Sequence, residues 1–126
     1  MRTQVRALPA PLGDLCDALS VPHGLFVLDP ATGERLTSGY VVALRGHVSR
    51  FTGRVYPDDV SSFAYRQARE LTRAGRVLLG FRDGRGGMVS LTVAMVTHSL
   101  KTARRLARED DQRTFVDLDR NAQLPV

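Results

Sequence analysis

The feature that most constrains this fold is a series of short apolar runs, each bounded by turn residues. The runs cover residues 25–29, 39–44, 76–82, 88–96 and 114–118. Short apolar runs flanked by Gly, Pro, Asp or Asn are typical of β-strands, whereas a membrane helix needs about 20 consecutive apolar residues. The sequence therefore predicts five strands and no membrane span.

Two turn motifs indicate how these strands connect. Asp-Pro-Ala-Thr-Gly at 29–33 presets a turn through Pro30, while Asp29 can bond the following backbone and Gly33 can take a positive φ. Asp-Gly-Arg-Gly-Gly at 83–87 is a hairpin signal. The first connection is long and the second is short, and we predict two hairpins and a mainly antiparallel sheet.

Helical periodicity marks two longer segments. The first begins at Pro57 with Asp58 as the expected N-cap, ends at Gly75, and has an apolar face made of Val60, Phe63, Ala64, Gln67, Ala68 and Leu71. The second follows the cap Ser99, with an apolar face made of Leu100, Ala103, Leu106 and Ala107. Both faces are suited to packing on a sheet.

The predicted fold class is α+β, with a mainly antiparallel five-stranded sheet and two helices packed on one face. The order is β-β-α-β-β-α-β, and a short N-terminal helix precedes it. We divide the chain into an N-terminal arm with that helix (1–23), an α+β domain (24–119) and a mobile C-terminal tail (120–126). The segment from the fourth to the fifth strand has the form of a parallel crossover.

Residue types exclude several classes of chemistry. Cys16 is the only cysteine, so an intramolecular disulfide and a Cys-rich zinc site are ruled out. Its helical apolar position favours a buried hydrophobe. The N-terminal segment lacks the apolar core of a signal peptide, which favours the cytoplasm. We predict no cofactor, no metal and no membrane partner.

Few residues favour catalysis. His23, His47 and His98 are the only histidines, and no two have ligand spacing on one helix or strand face. Asp117 and Asp119 are two apart on a predicted strand, an arrangement that can bind magnesium, although a solvated strand end has the same pattern. Whether these groups converge is left open, and we predict a protein that is not an enzyme.

The formal net charge is +5, which is typical of proteins that bind polyanions. Only Lys101 of the 18 basic residues is a lysine, a bias that a GC-rich genome explains. The candidate basic surface comprises two helical stripes and the tip of the glycine-rich turn: Arg66, Arg69, Arg73, Arg85, Lys101, Arg104, Arg105 and Arg108. The stripes indicate either a phosphate-binding surface or solvated helix faces.

Two stretches carry a resemblance. One is 27–44, with its Asp-Pro-Ala-Thr-Gly turn and Ser-Gly-Tyr-Val-Val strand. The other is 79–117, in which a Leu-Gly-aromatic-Arg-Asp strand end leads through a hairpin and a helix to Phe-Val-Asp-Leu. These motifs resemble small proteins of actinobacterial genomes, phages and plasmids. The resemblance implies a mobile-element context, and no residue inherits a role from it.

Two functional hypotheses follow. The first is a small non-enzymatic binding or regulatory protein that acts through protein–protein contacts, such as a phage or mobile-element accessory protein. The alternative is a nucleic-acid-binding domain that uses the two arginine stripes. A homodimer is a further prediction, because Thr92, Ala94 and Met95 leave the fourth strand apolar enough to pack on a second copy.

Overall fold

The computed structural model describes residues 12–84 and 87–126 of the chain. This part contains six strands and four helices. The helices are α1 (Leu12–Ala18), α2 (Pro57–Arg66), α3 (Ala68–Leu71) and α4 (Leu100–Glu109). The strands are β1 (Leu25–Leu28), β2 (Tyr40–Thr52), β3 (Arg76–Arg82), β4 (Met88–Thr97), β5 (Thr114–Asp117) and β6 (Ala122–Pro125). The α+β class and the antiparallel sheet are confirmed, with six strands instead of five.

Strand order corrects one predicted hairpin. The strand order in the sheet is β1-β3-β4-β2-β5-β6. Therefore β1 pairs with β3, and two strands, β3 and β4, separate it from β2. The turn at 29–33 forms as expected, since Asp29 Oδ1 accepts from the Ala31 N–H and Gly33 has φ 76°. It closes only one bridge, Leu28 to Arg35, before the chain continues to β2. A correct local turn therefore did not determine the strand's partner.

The strand β2 is longer than the pattern indicated. The apolar run at 39–44 predicts a strand that ends at Leu44, but β2 continues to Thr52 through a register shift between Ala43 and Val48. Gly46 has φ 84° in this shift, a conformation that glycine adopts without steric cost. The polar residues after Leu44 are therefore a bulge, which interrupts the pairing without ending the strand.

The sixth strand lies in the segment we predicted to be a mobile tail. Asn121, with φ 50°, turns the chain so that β6 pairs antiparallel with β5 from Thr114 opposite Pro125 to Asp117 opposite Ala122. Asn tolerates this left-handed conformation better than most residues. Leu124 then packs in a cluster with Phe115.

The helix predicted from Pro57 onward is interrupted. Gln67, with φ −99° and ψ 14°, separates α2 from α3, although the Leu71 N–H still donates to the Gln67 carbonyl. The N-cap is Tyr56 and not Asp58: Pro57 occupies the first helical position, and Asp59 Oδ2 accepts from the Tyr56 N–H at 2.8 Å. Ser99 caps α4 as predicted, because its Oγ accepts from the Thr102 N–H.

The segment from β4 through α4 to β5 is a parallel crossover around an intervening strand. Both β4 and β5 pair antiparallel with β2, which lies between them, so the two are parallel to each other. The helix α4 packs on this region through Ala103 and Ala107, which are fully buried against Val42 and Phe115. Two small residues allow the helix to approach the sheet closely.

The four helices lie on one face of the sheet, which we call the helix-covered face. Residues directly opposite in an antiparallel ladder share a face, so the register assigns each strand residue to a side. Phe26, Leu78 and Leu91 point to the helix-covered face and are completely buried against α1, α2 and α3. No helix within residues 12–84 and 87–126 is long and apolar enough to span a membrane.

Candidate functional site

The opposite side of the sheet, the helix-free face, has a second apolar cluster. Val27, Val41, Leu79 and Ala94 belong to it and are buried although no described helix packs on them. The connection between β1 and β2 and the residues after β5 cover one end of this cluster through Leu36 and Leu118. Its other end is open.

The sheet divides at the open end. The pairing between β2 and β5 includes only Tyr40 with Asp117 and Val41 with Val116, after which the bulge directs β2 away. Residues 48–52 of β2 then pair with β4 alone. Among the described residues, no strand pairs with the other edge of this segment, which we call the β2 free edge.

A cavity of about 270 Å³ lies beside the β2 free edge on the helix-free face. Residues from five neighbouring strands line it, from Leu79 and Phe81 on β3 to Gln123 on β6, so the sheet curls around this space. Leu79, Val41 and Val116 form an apolar floor and are nearly inaccessible to solvent. Thr92, also on the floor, has its hydroxyl donating to the Val93 carbonyl. The cavity is thus mainly apolar, and one of its polar groups, the Thr92 hydroxyl, already has a hydrogen-bond partner.

Two arginines at this cavity differ in their partners. Arg45 is bound, since its Nη1 lies 2.7 Å from Asp111 Oδ2 and its backbone N–H donates to Asp110. Arg50, exposed on the β2 free edge, has no hydrogen bond or ion pair with any residue in the described part of the chain. One cation beside the cavity is therefore available to a ligand.

The basic stripe on α4 forms as the periodicity predicts. Lys101, Arg104, Arg105 and Arg108 are all exposed on the side away from the buried Ala103 and Ala107. Arg105 pairs with Glu109 at 3.1 Å, and the other three have no side-chain partner within residues 12–84 and 87–126. Three free cations on one helix face remain a candidate polyanion surface.

The second stripe is partly neutralised. Arg66 and Arg69 are exposed on α2 and α3, and Arg66 Nε donates to the Ser62 carbonyl at 3.4 Å. Arg73 lies 3.4 Å from Glu70, which Arg76 also contacts at 3.0 Å. Arg85 lies outside the described residues. The hydrogen bond from Arg76 lowers the pKa of the Glu70 carboxyl, with Arg73 lowering it further, although burial opposes both.

The candidate catalytic residues serve separate structural roles. The ring of His23 lies against Gly84, His47 Nδ1 is 3.0 Å from Gln67 Oε1, and the ring of His98 lies against Gly39. Within the described ranges, no group of three His, Cys, Asp or Glu side chains is arranged to hold a metal ion. The three histidines therefore contact three different parts of the fold.

The two aspartates stabilise a turn. Asp117 Oδ1 accepts from the Asp119 N–H at 3.1 Å, and Asp119 Oδ2 accepts from the Gly39 N–H at 3.3 Å. Arg120 lies 3.7 Å from Asp117. These bonds join the end of β5 to the start of β2, because Gly39 immediately precedes that strand. Both carboxylates therefore have a structural role in this turn.

Cys16 is buried on α1, as its apolar position predicted. Burial raises the pKa of its thiol, and the nearby Asp59 and Asp17 raise it further. Since the thiolate is the reactive form, this environment is unfavourable for a nucleophile.

A second groove, of about 510 Å³, lies at the other end of the sheet between the β1–β2 connection and the α3–β3 turn. Its charged lining residues already have partners: Arg73 and Arg76 with Glu70, and Asp29 with the Ala31 N–H. Of its polar groups, only His98 and Ser38 lack a side-chain bond within residues 12–84 and 87–126. We therefore favour the cavity beside Arg50.

Sequence reasoning missed this cavity. Gly46 within an extended segment was the available signal, because an isolated glycine in a strand often marks a bulge. Val48, Arg50 and Thr52 alternate with Ser49 and Phe51, so one further strand was readable. The divergence of β2 from β5 depends on distant residues and had no local signal.

The chain matches no protein-family model, no curated protein and no solved structure.

Proposed function

We propose that this protein is a non-enzymatic binding protein that captures an extended segment of a partner protein. The segment adds as a strand to the β2 free edge and places side chains in the adjacent cavity. The observation that carries this proposal is that residues 48–52 pair with β4 on one side and with no described strand on the other. Strand addition uses such unpaired backbone groups for affinity and adjacent pockets for specificity.

The size of the cavity and its position beside the β2 free edge are compatible with the side chains of a peptide ligand. Sites for drug-sized ligands have volumes of roughly 300–1,000 Å³. The cavity beside Arg50 is smaller, at about 270 Å³, and open on one side. It accommodates side chains that project from a strand.

We place this activity in the cytoplasm, in an accessory protein of a phage or other mobile element, on the resemblance described above.

Hydrogen exchange tests strand addition directly. Neighbouring residues of an antiparallel strand bond to opposite sides, so every second amide of residues 48–52 faces the free edge. A displayed library of nine-residue peptides provides ligands. We expect the selected peptides to slow exchange at these alternate amides, while the amides that bond to β4 stay protected throughout.

A cavity-filling variant provides the matched control. Ser90→Phe places a ring in the cavity and should weaken the selected peptides, whereas Ser62→Phe adds the same ring on exposed α2 and should not. Circular dichroism checks that both variants fold. The proposal fails if no peptide is selected, or if the selected peptides protect amides elsewhere. It also fails if the edge amides of the free protein are already protected, because the edge would then be occupied.

A second candidate function is binding of nucleic acid through α4. The free cations Lys101, Arg104 and Arg108 support it, because a rigid row of unpaired cations is suited to a phosphate backbone. Affinity for duplex DNA should fall steeply with salt, and the double variant Arg104→Glu, Arg108→Glu should flatten that dependence. The variant Arg54→Glu, Arg69→Glu changes the net charge equally at exposed arginines outside α4 and should have little effect. No binding to DNA or RNA at low salt would exclude this candidate.

A further inference from the structure

Side-chain direction along the β2 free edge restricts what an added strand can present. Val48 lies opposite Thr92 and Arg50 opposite Ser90, so both point to the helix-free face, where the cavity lies. Ser49 and Phe51 point to the helix-covered face. An added strand alternates in the same way, so only every second ligand residue faces the cavity.

The two positions on this face differ in chemistry. The register places Val48 in a row with Thr92 and Leu79, so the lining near it is apolar apart from the Thr92 hydroxyl, which bonds to the Val93 carbonyl. Two residues further along, Arg50 presents a guanidinium that no described residue neutralises. Opposite charges across an antiparallel pair are stabilising, and apolar pairs are likewise favourable. The ligand positions opposite Val48 and Arg50 therefore have different requirements.

Charge disfavours a second copy of this chain, paired about Arg50, as the occupant of the β2 free edge. Arg50 is the middle residue of 48–52, so antiparallel pairing of two copies about this centre places Arg50 opposite its equivalent. Like charges directly opposite destabilise a strand pair. A net charge of +5 on each chain adds long-range repulsion.

We infer that the β2 free edge selects an extended protein segment with an apolar residue opposite Val48 and an acidic residue, two positions away, opposite Arg50. This inference rests on the strand addition proposed above and specifies its ligand chemistry. The apolar side chain enters the cavity, and the carboxylate accepts charge-assisted hydrogen bonds from the Arg50 guanidinium.

Charge exchange between protein and peptide tests the inference. The first probe is a nine-residue peptide of alternating Thr and Val with a central Leu and a Glu two positions earlier, because an antiparallel strand runs opposite to β2. The second probe replaces Glu by Lys. We expect the Glu peptide to bind the wild type about fivefold to tenfold more tightly than the Lys peptide. Arg50→Glu should reverse this preference. Arg69→Glu, at an exposed arginine on the helix-covered side, should leave it unchanged.

Two failures are distinguishable. If both peptides slow exchange at the edge amides with equal affinity, strand addition stands and the acidic preference is wrong. If neither peptide slows that exchange, the proposed strand addition fails with it. Displacement of a bound Glu peptide by an oligonucleotide, and not by an uncharged peptide, would assign the Arg50 surface to nucleic acid and overturn the inference.

Discussion

The two faces of the sheet are built from the same strands and have different structures. On the helix-covered face, large side chains such as Phe26, Phe63 and Leu91 are completely buried beneath helices. On the helix-free face, Phe81 is only half-buried beside an open cavity, and Arg50 lacks a described partner. We therefore expect the first face to provide most of the stability, and we propose that the second is available for binding.

Truncation of one phenylalanine on each side provides the largest test of this comparison. Phe63→Ala should lower the free energy of unfolding by about 3–5 kcal/mol, because it leaves a cavity in a closed core. Phe81→Ala should cost about 1 kcal/mol, since its ring already contacts solvent. Urea denaturation measures both values. Similar losses for the two variants would show that the faces contribute equally to stability.

A glycine substitution tests the closeness of packing on the helix-covered face. A Cβ on Gly80 would clash with the Phe26 ring, so Gly80→Ala must displace that ring and should cost about 1–3 kcal/mol. Ser90→Ala, on the neighbouring strand and the helix-free face, should change stability by less than about 0.5 kcal/mol. Thermal unfolding of both variants measures the difference. A neutral Gly80→Ala would mean that Phe26 is loosely held.

The smallest expected effect concerns the pH dependence of the Glu70–Arg76 pair. Because the folded pKa of Glu70 is lowered, the pair contributes stability above the carboxyl's unfolded pKa of about 4.3 and loses it as pH falls through the folded pKa. The free energy of unfolding is measured at pH 7 and at pH 3. The decrease between the two should therefore be smaller in Arg76→Gln than in the wild type. Other carboxylates are protonated equally in both proteins.

Arg105→Gln is the control for that measurement. Its pair with Glu109 is more than half exposed on both sides, so solvent screens it and the pH difference should match that of the wild type. An equal pH difference in Arg76→Gln and the wild type would contradict the prediction.

Local signals predicted much of the fold and little of the site. The helix cap Ser99, the positive φ of Gly75 and the buried face of α2 follow from neighbouring residues, and the structure has all of them. The predicted apolar face of α4 is fully buried only at Ala103 and Ala107, since Leu100 is exposed. The α4 stripe is likewise a consequence of helical spacing. Arg50 was not singled out, because its significance depends on β5 diverging from β2.

Thus the sequence by itself determined where most of the strands and helices lie and which of their faces are apolar. Only the tertiary structure decided that β1 pairs with β3, that residues 122–125 add a sixth strand, and that the sheet divides beside the bulge at Gly46. The physical reason is range. Caps and turns depend on residues a few positions apart, whereas strand pairing depends on segments that meet only after the chain has folded.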